Sequence, residues 1–204
     1  MTAADRPRYH HPDLRAALLE HGVALARAGG PAAVSLRDVQ RRAGVSNSAA
    51  YRHYADRAAL LDAIAARAAA ELSARMTAEL AGVPSDGPAA DVARARLRAL
   101  GRVYIRFALA EPGLFATIGA EQDKDLAAGH GPDDPFGLLG RCLDELVAAG
   151  GLDPAHRPWS DVAAWSAVHG LAVLLQGGPL SGLPPADRDA AIDRTLDVLL
   201  AGLT

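Results

Sequence analysis

The chain has 204 residues, half of them hydrophobic and 22% charged, with a formal net charge of -3. This is enough apolar sequence for a sizeable core, arranged as one large domain or as a small domain joined to a larger one. The single cysteine, Cys142, excludes an intrachain disulfide and a cysteine-based zinc site and fits a reduced cytoplasmic compartment.

Charge is unevenly spread. Met1 to Arg67 carries ten arginines and no lysine against six acids, while the remainder carries eleven basic residues against eighteen acidic ones. A basic head on an acidic body suits a polyanion-binding end. Residues Met1 to His11 are polar and lack an apolar stretch, so no secretory signal is expected, and the His10-His11 pair in this arm makes no convincing site. The longest apolar region, Val162 to Leu175, contains His169 and is flanked by charges. It reads as a buried helix, not a membrane span.

Helical periodicity dominates, and alternating β-branched runs are missing. Leu14, Leu18 and Leu25 share a face of a first helix that ends near Gly29-Gly30-Pro31. His21 lies near the centre of that stripe and is expected to be a core histidine with a hydrogen-bond partner. Ser35 can cap a second helix, Leu36 to Ala43, stopped by Gly44; Ser46 can cap a third, Asn47 to His53. Asp56 can cap a fourth, carrying Leu60, Ile64, Ala68 and Leu72 to about Leu80, before the break Gly82 to Pro88.

A fifth helix carries Leu97, Leu100, Tyr104 and Phe107 and ends at Glu111-Pro112, with Pro112 opening a short sixth segment through Ile118. Gly119 to Pro135 is rich in Gly, Asp and Pro and is predicted to be a mobile loop. Helices are predicted over Phe136 to Ala149, Ser160 to Gln176 and Asp187 to Leu200. The expected fold is all-α, about nine helices: an N-terminal three-helix bundle and a larger C-terminal helical domain. The boundary is placed at residues 1–56 and 57–204, with the fourth helix, 57–80, as a rigid link.

The segment Ser35 to Tyr54 (SLRDVQRRAGVSNSAAYRHY) reads as a helix-turn-helix, two short helices joined through Gly44-Val45-Ser46. Leu36, Val39, Ala43, Val45 and Ala50 supply small apolar contacts that fix the angle between them. Such a unit presents its second helix to the major groove of DNA.

Ser35 to Leu61 resembles the DNA-binding segment of the TetR family of bacterial regulators. Tyr51 to Leu61 (YRHYADRAALL) is similar to that family's Tyr-x-His-Phe-x-x-Lys-x-x-Leu-Leu signature, with Arg57 in place of Lys and Tyr54 in place of Phe. The resemblance implies phosphate contacts from Ser35, Tyr51, His53 and Arg57 and base-edge contacts from Arg37, Asn47, Ser48 and Ala49. The residue types agree: hydroxyls and cations serve phosphates, arginine suits guanine, an amide suits adenine, and a methyl can meet thymine. Arg41 reads as a solvated surface charge, and Ser46 and Asp56 as caps.

Further along, Trp165 to Leu171 (WSAVHGL) resembles a C-terminal subgroup of the same family with a Trp-x-x-x-His-Gly motif, and Glu111 to Phe115 (EPGLF) resembles its turn between helices five and six. Tyr104, Phe107, Phe115, Phe136, Trp165 and His169 are candidates to line a cavity for a small-molecule effector, although aromatics at helical spacing also serve as core. Ile192, Leu196, Leu199 and Leu203 form a seam at three- and four-residue spacing, suited to a partner helix. A homodimer through the last two helices is therefore expected, with intrachain packing as the alternative use of the seam.

These features point to a cytoplasmic, ligand-responsive regulator that binds a palindromic operator as a dimer, with no cofactor, no metal and no membrane partner, and the family resemblance implies that it is a repressor. A helical small-molecule-binding module without specific DNA binding is the alternative; it leaves the basic head unexplained. An enzyme is disfavoured, since no metal-ligand spacing, nucleophile elbow or phosphate-binding glycine loop is present.

Overall fold

The computed structural model describes residues 13–122 and 131–203, and among them the chain forms nine α-helices and no strand. The helices are α1 (Leu14–Gly29), α2 (Leu36–Ala43), α3 (Asn47–Tyr51), α4 (Arg57–Ala81), α5 (Ala89–Ala110), α6 (Pro112–Gln122), α7 (Pro135–Ala148), α8 (Ser160–Gln176) and α9 (Pro185–Gly202). The His10-His11 arm and the central part of the predicted Gly119 to Pro135 loop lie outside the described residues.

Local chemistry sets most helix ends. Asp13, Ser35, Ser46 and Asp56 accept the backbone N–H three residues on, at 3.0, 3.1, 3.3 and 2.8 Å. Each satisfies a donor that the first helical turn leaves unpaired, an effect of about 1 kcal/mol per cap. Gly44 closes α2 at φ 68°, a left-handed conformation that a residue with a Cβ resists. Asp134 caps α7 in the same way, accepting from the Gly137 N–H at 2.7 Å.

Several boundaries differ from expectation. Helix α3 ends at Tyr51 instead of His53, because the Tyr54 side chain turns into the core, where it is 2% exposed and donates to the Arg15 carbonyl at 3.3 Å. Helix α6 continues past Ile118 to Gln122; Gly119 alone costs the helix about 1 kcal/mol, which does not end it. Helix α9 begins at Pro185, whose fixed φ suits a first helical position.

Helices α1, α2 and α3 bundle through Leu18, Val23, Leu36, Val39, Ala50 and Tyr54, all buried. Helix α1 also packs on α4, where Gly22 leaves just enough room for Ile64. Leu60, Ile64, Leu72 and Met76 run down the buried face of α4 and continue the same core into α5 to α9. Each such side chain contributes about 1.5–3 kcal/mol by leaving water. His21 is only partly buried, short of the full burial expected of a core histidine.

Helix α5 is central, against α4, α6, α7, α8 and α9. Arg98, Arg102 and Arg106 pair with Asp197, Asp193 and Asp189 of α9. Surface pairs of this kind contribute little energy singly, but three rungs at four-residue steps define one register between the antiparallel helices. Beneath them, Leu196 packs against Gly101.

Candidate DNA-binding surface and interior cavity

The helix-turn-helix surface is built from the caps upward. The Ser35 hydroxyl donates to Asp38 Oδ2 at 2.7 Å while accepting from the Asp38 N–H. That hydroxyl, reinforced by Arg41, holds the Asp38 carboxyl below its ordinary value. Arg41 pairs with Asp38 at 2.8 Å, so it is a partnered surface charge. Arg37, Asn47, Ser48 and Tyr51 are exposed, Tyr51 at 47%, whereas Ala49 and His53 are half-buried. Ser48 also shares a 3.1 Å hydroxyl contact with Ser46.

Arg57 has a structural role that the sequence did not reveal. Its Nε donates to the Val34 carbonyl at 2.9 Å and its Nη2 to the Pro31 carbonyl at 2.5 Å. The start of α4 thereby clamps the short linker that leads from α1 into α2. A guanidinium can do this because it projects several donors in one plane; an ammonium is a single point. Arg15 is a further contributor missed in the sequence, its guanidinium 5.4 Å from the Tyr54 ring centroid. Neither contact has a local signature, since both partners lie far away in the chain.

In the C-terminal body the structure gathers five of the six proposed cavity residues. Tyr104 is ringed by Phe115 (5.5 Å between centroids), Trp165 (4.9 Å) and His169 (6.3 Å). Phe136 lies 5.4 Å from Trp165. Phe107 does not join them: it is fully buried against Arg75 of α4, whose guanidinium sits 5.0 Å from the ring. Three residues along a helix turn the side chain by about 60°, enough to move Phe107 to a different neighbour than Tyr104.

The Tyr104 hydroxyl lies 2.8 Å from His169 Nδ1. Burial pushes the Tyr104 pKa well above its ordinary value and pulls that of His169 down. Both changes favour a neutral pair in which the phenol donates to Nδ1. Beside them is a cavity of about 20 Å³, lined by Met76, Leu97, Gly101, Leu139, Tyr104 and Trp165 among others. That is room for about one water, so this cavity is closed to a larger molecule in this conformation. The Cys142 thiol is buried and raised to about 11 by that burial, which leaves it unreactive.

Three of the four seam residues of α9 face inward, while Leu199 is half-buried. Ile192, Leu196 and Leu203 are 2%, 1% and 7% exposed within one chain. A different set faces outward: Val162, Val173 and Leu174 on α8 and Val198 on α9 are exposed. Between the two helices runs a groove of about 390 Å³ lined by Ala167, Arg194, Thr195, Val198 and Leu199. No described helix is long and apolar enough to cross a membrane, and no cluster of three metal-ligating side chains occurs among the described residues.

A capped helix-turn-helix on a larger all-helical body defines a class of bacterial regulators. Two family models match: "Bacterial regulatory proteins, tetR family" over residues 18–64 and "Tetracyclin repressor-like, C-terminal domain" over residues 97–199. The chain belongs to the TetR family. A solved protein of unknown function from Rhodococcus sp. RHA1 is 32% identical, with a TM-score of 0.77 over 97% of this chain and 99% of that one. A TetR-family transcriptional regulator from Pectobacterium atrosepticum (24% identity, TM-score 0.66, 97% of each chain) shares the fold. So does a TetR variant from Acinetobacter baumannii AYE in complex with minocycline (22% identity, TM-score 0.64, 91% of this chain and 93% of that one). A search of curated proteins gave no match.

Proposed function

We propose that this TetR-family regulator is a cytoplasmic repressor that binds a palindromic operator as a homodimer and is released by a small-molecule effector. The observation that carries the reading is the exposure of Arg37, Asn47, Ser48 and Tyr51 on a rigid, doubly capped helix-turn-helix. In this reading Arg37, Asn47, Ser48 and Ala49 read base edges, and Tyr51, His53 and Arg57 hold phosphates. The Ser35 hydroxyl already donates to Asp38, so it can donate to a phosphate, which only accepts, once that bond turns. Arg57 reaches DNA from a side chain anchored on backbone carbonyls.

The DNA-binding unit is taken as residues 1–56 and the effector and dimer unit as 57–204, with α4 shared. Dimer contacts fall on the outward apolar faces of α8 and α9, not on the buried seam. The aromatic group around Tyr104 receives the effector, and its cavity must open to do so, since drug-sized sites span about 300–1,000 Å³. The minocycline complex of the Acinetobacter protein supports a small-molecule effector by likeness of fold. An effector that prefers the open cavity shifts the dimer away from the DNA-bound conformer, and DNA weakens effector binding by the same factor.

The experiment is selection of DNA from a random pool, followed by anisotropy across a salt series. A palindromic site with a steep salt slope is expected. Weak, sequence-blind binding would overturn the operator reading.

A further inference from the structure

The group around Tyr104 is built of flat rings. Trp165 and His169, one turn apart on α8, hold their planes within 10° of each other, with 6.4 Å between centroids. Phe115 lies 5.4 Å from the His169 ring, and Phe136 of α7 lies at the same distance from Trp165. The adjoining cavity reaches Met76, Leu97, Leu139 and Val168, and no charged side chain among the described residues lines it.

The polar atoms of the group are mostly donors. The phenol of Tyr104 spends its proton on His169 Nδ1, and a neutral imidazole that accepts at Nδ1 carries its own proton on Nε2. No described residue accepts from that Nε2–H, nor from the indole N–H of Trp165. A molecule that enters without an acceptor leaves these donors dry and unpaired, which costs binding.

Charge has no counterpart here. Burial alone raises the Tyr104 phenol and lowers the His169 imidazole, with no ionised side chain contributing to either. An ion placed among these rings therefore loses its water with no opposite charge to replace it.

From this arrangement we propose that the site takes an uncharged, planar, largely apolar molecule with a carbonyl-type oxygen, its rings against Trp165 and its oxygen accepting from His169 Nε2–H. The inference rests on the effector-site reading above and names the ligand class of that site. Entry enlarges a cavity that now has room for about one water. Met76 on its wall is unbranched and can yield by changing rotamer.

The test is fluorescence titration of the full-length chain. The second tryptophan, Trp159, is 78% exposed, so Trp159→Phe leaves Trp165 as the single reporter without touching the core. The probes are acetylnaphthalene, naphthalene, naphthoate and naphthyltrimethylammonium. The ketone should quench Trp165 saturably and bind about three- to tenfold more tightly than naphthalene, the ratio that one net hydrogen bond gives. Both ions should bind at least about tenfold more weakly than the ketone. Adding His169→Phe, which keeps a ring, should erase the preference for ketone over hydrocarbon. Adding Tyr104→Phe, which releases the tautomer, should reduce it.

No saturable quenching by the ketone, tighter binding of either ion, or an unchanged ketone preference in His169→Phe would overturn the proposal. If His169→Phe does not fold, Tyr104→Phe decides by the same ratio: a smaller preference supports the proposal and an unchanged one overturns it. Operator anisotropy with each probe separates the ligand class from the regulator reading. A probe that releases the operator while leaving Trp165 unquenched overturns the ligand class and keeps the regulator. The ketone binding in the expected order without releasing the operator supports the ligand class and counts against effector release. If the protein selects no operator, the DNA reading fails and the titrations alone decide the ligand class.

Discussion

The phenol of Tyr104 and the imidazole of His169, sixty-five residues apart in sequence, meet at 2.8 Å in an otherwise apolar and aromatic group. The pair is neutral because burial penalises both the phenolate and the imidazolium. It is the polar element of the proposed effector site, and it makes that site sensitive to acid.

The sign of that sensitivity follows from the direction of the shift. His169 binds a proton less readily folded than unfolded, so the stability attached to its neutral form is complete above its ordinary value of 6.5. It is lost as pH falls below that value toward the depressed folded one. Melting temperatures measured from about pH 7.5 down to about pH 5 should fall more steeply for the parent than for His169→Gln, whose amide does not titrate in this range. Parallel curves would show that His169 titrates alike folded and unfolded.

On the DNA side, Tyr51→Ala should weaken selected and scrambled duplexes by similar factors, as loss of a phosphate contact does. Arg37→Ala should instead cost about 1–3 kcal/mol on the selected site and relax preference at one base pair. Anisotropy with a panel of single-base operator variants separates the two. Unaltered operator affinity in Tyr51→Ala would mean that the docking described here is wrong.

Arg57 should matter for stability even without DNA. Arg57→Met leaves the Pro31 and Val34 carbonyls without their donors and should lower stability by about 1 kcal/mol. Arg57→Lys should recover only part, because one ammonium cannot span both carbonyls as the guanidinium does. Urea midpoints at constant slope provide the measure, and identical midpoints for parent and Arg57→Met would remove the clamp from the account.

The two faces of α9 should behave oppositely. Leu196→Ala, at a position 1% exposed, should cost about 2–5 kcal/mol of chain stability. Val198→Glu, at a position 56% exposed, should change monomer stability by less than about 0.5 kcal/mol. Sedimentation should nevertheless show Val198→Glu shifted from dimer to monomer, with weaker operator binding. A dimer unaffected by Val198→Glu would place the interface elsewhere.

What the sequence determined alone was whatever depends on neighbours three or four residues away. Ser35, Ser46 and Asp56 cap the helices they were expected to cap, Gly44 takes the left-handed turn, and α2 and α8 have the predicted ends. The helix-turn-helix is legible for that reason: capping and hydrophobic period are short-range properties. Periodicity also found the apolar seam of α9, but a seam does not say what it faces. Only the tertiary structure decided that Leu196 meets Gly101 in its own chain while Val198 faces out. It likewise placed Phe107 under Arg75 and apart from Tyr104, gave Arg57 two backbone carbonyls to hold, and pressed Gly113 against Ala26. Each of these depends on which distant helix packs alongside, and close packing, not local propensity, selects that neighbour.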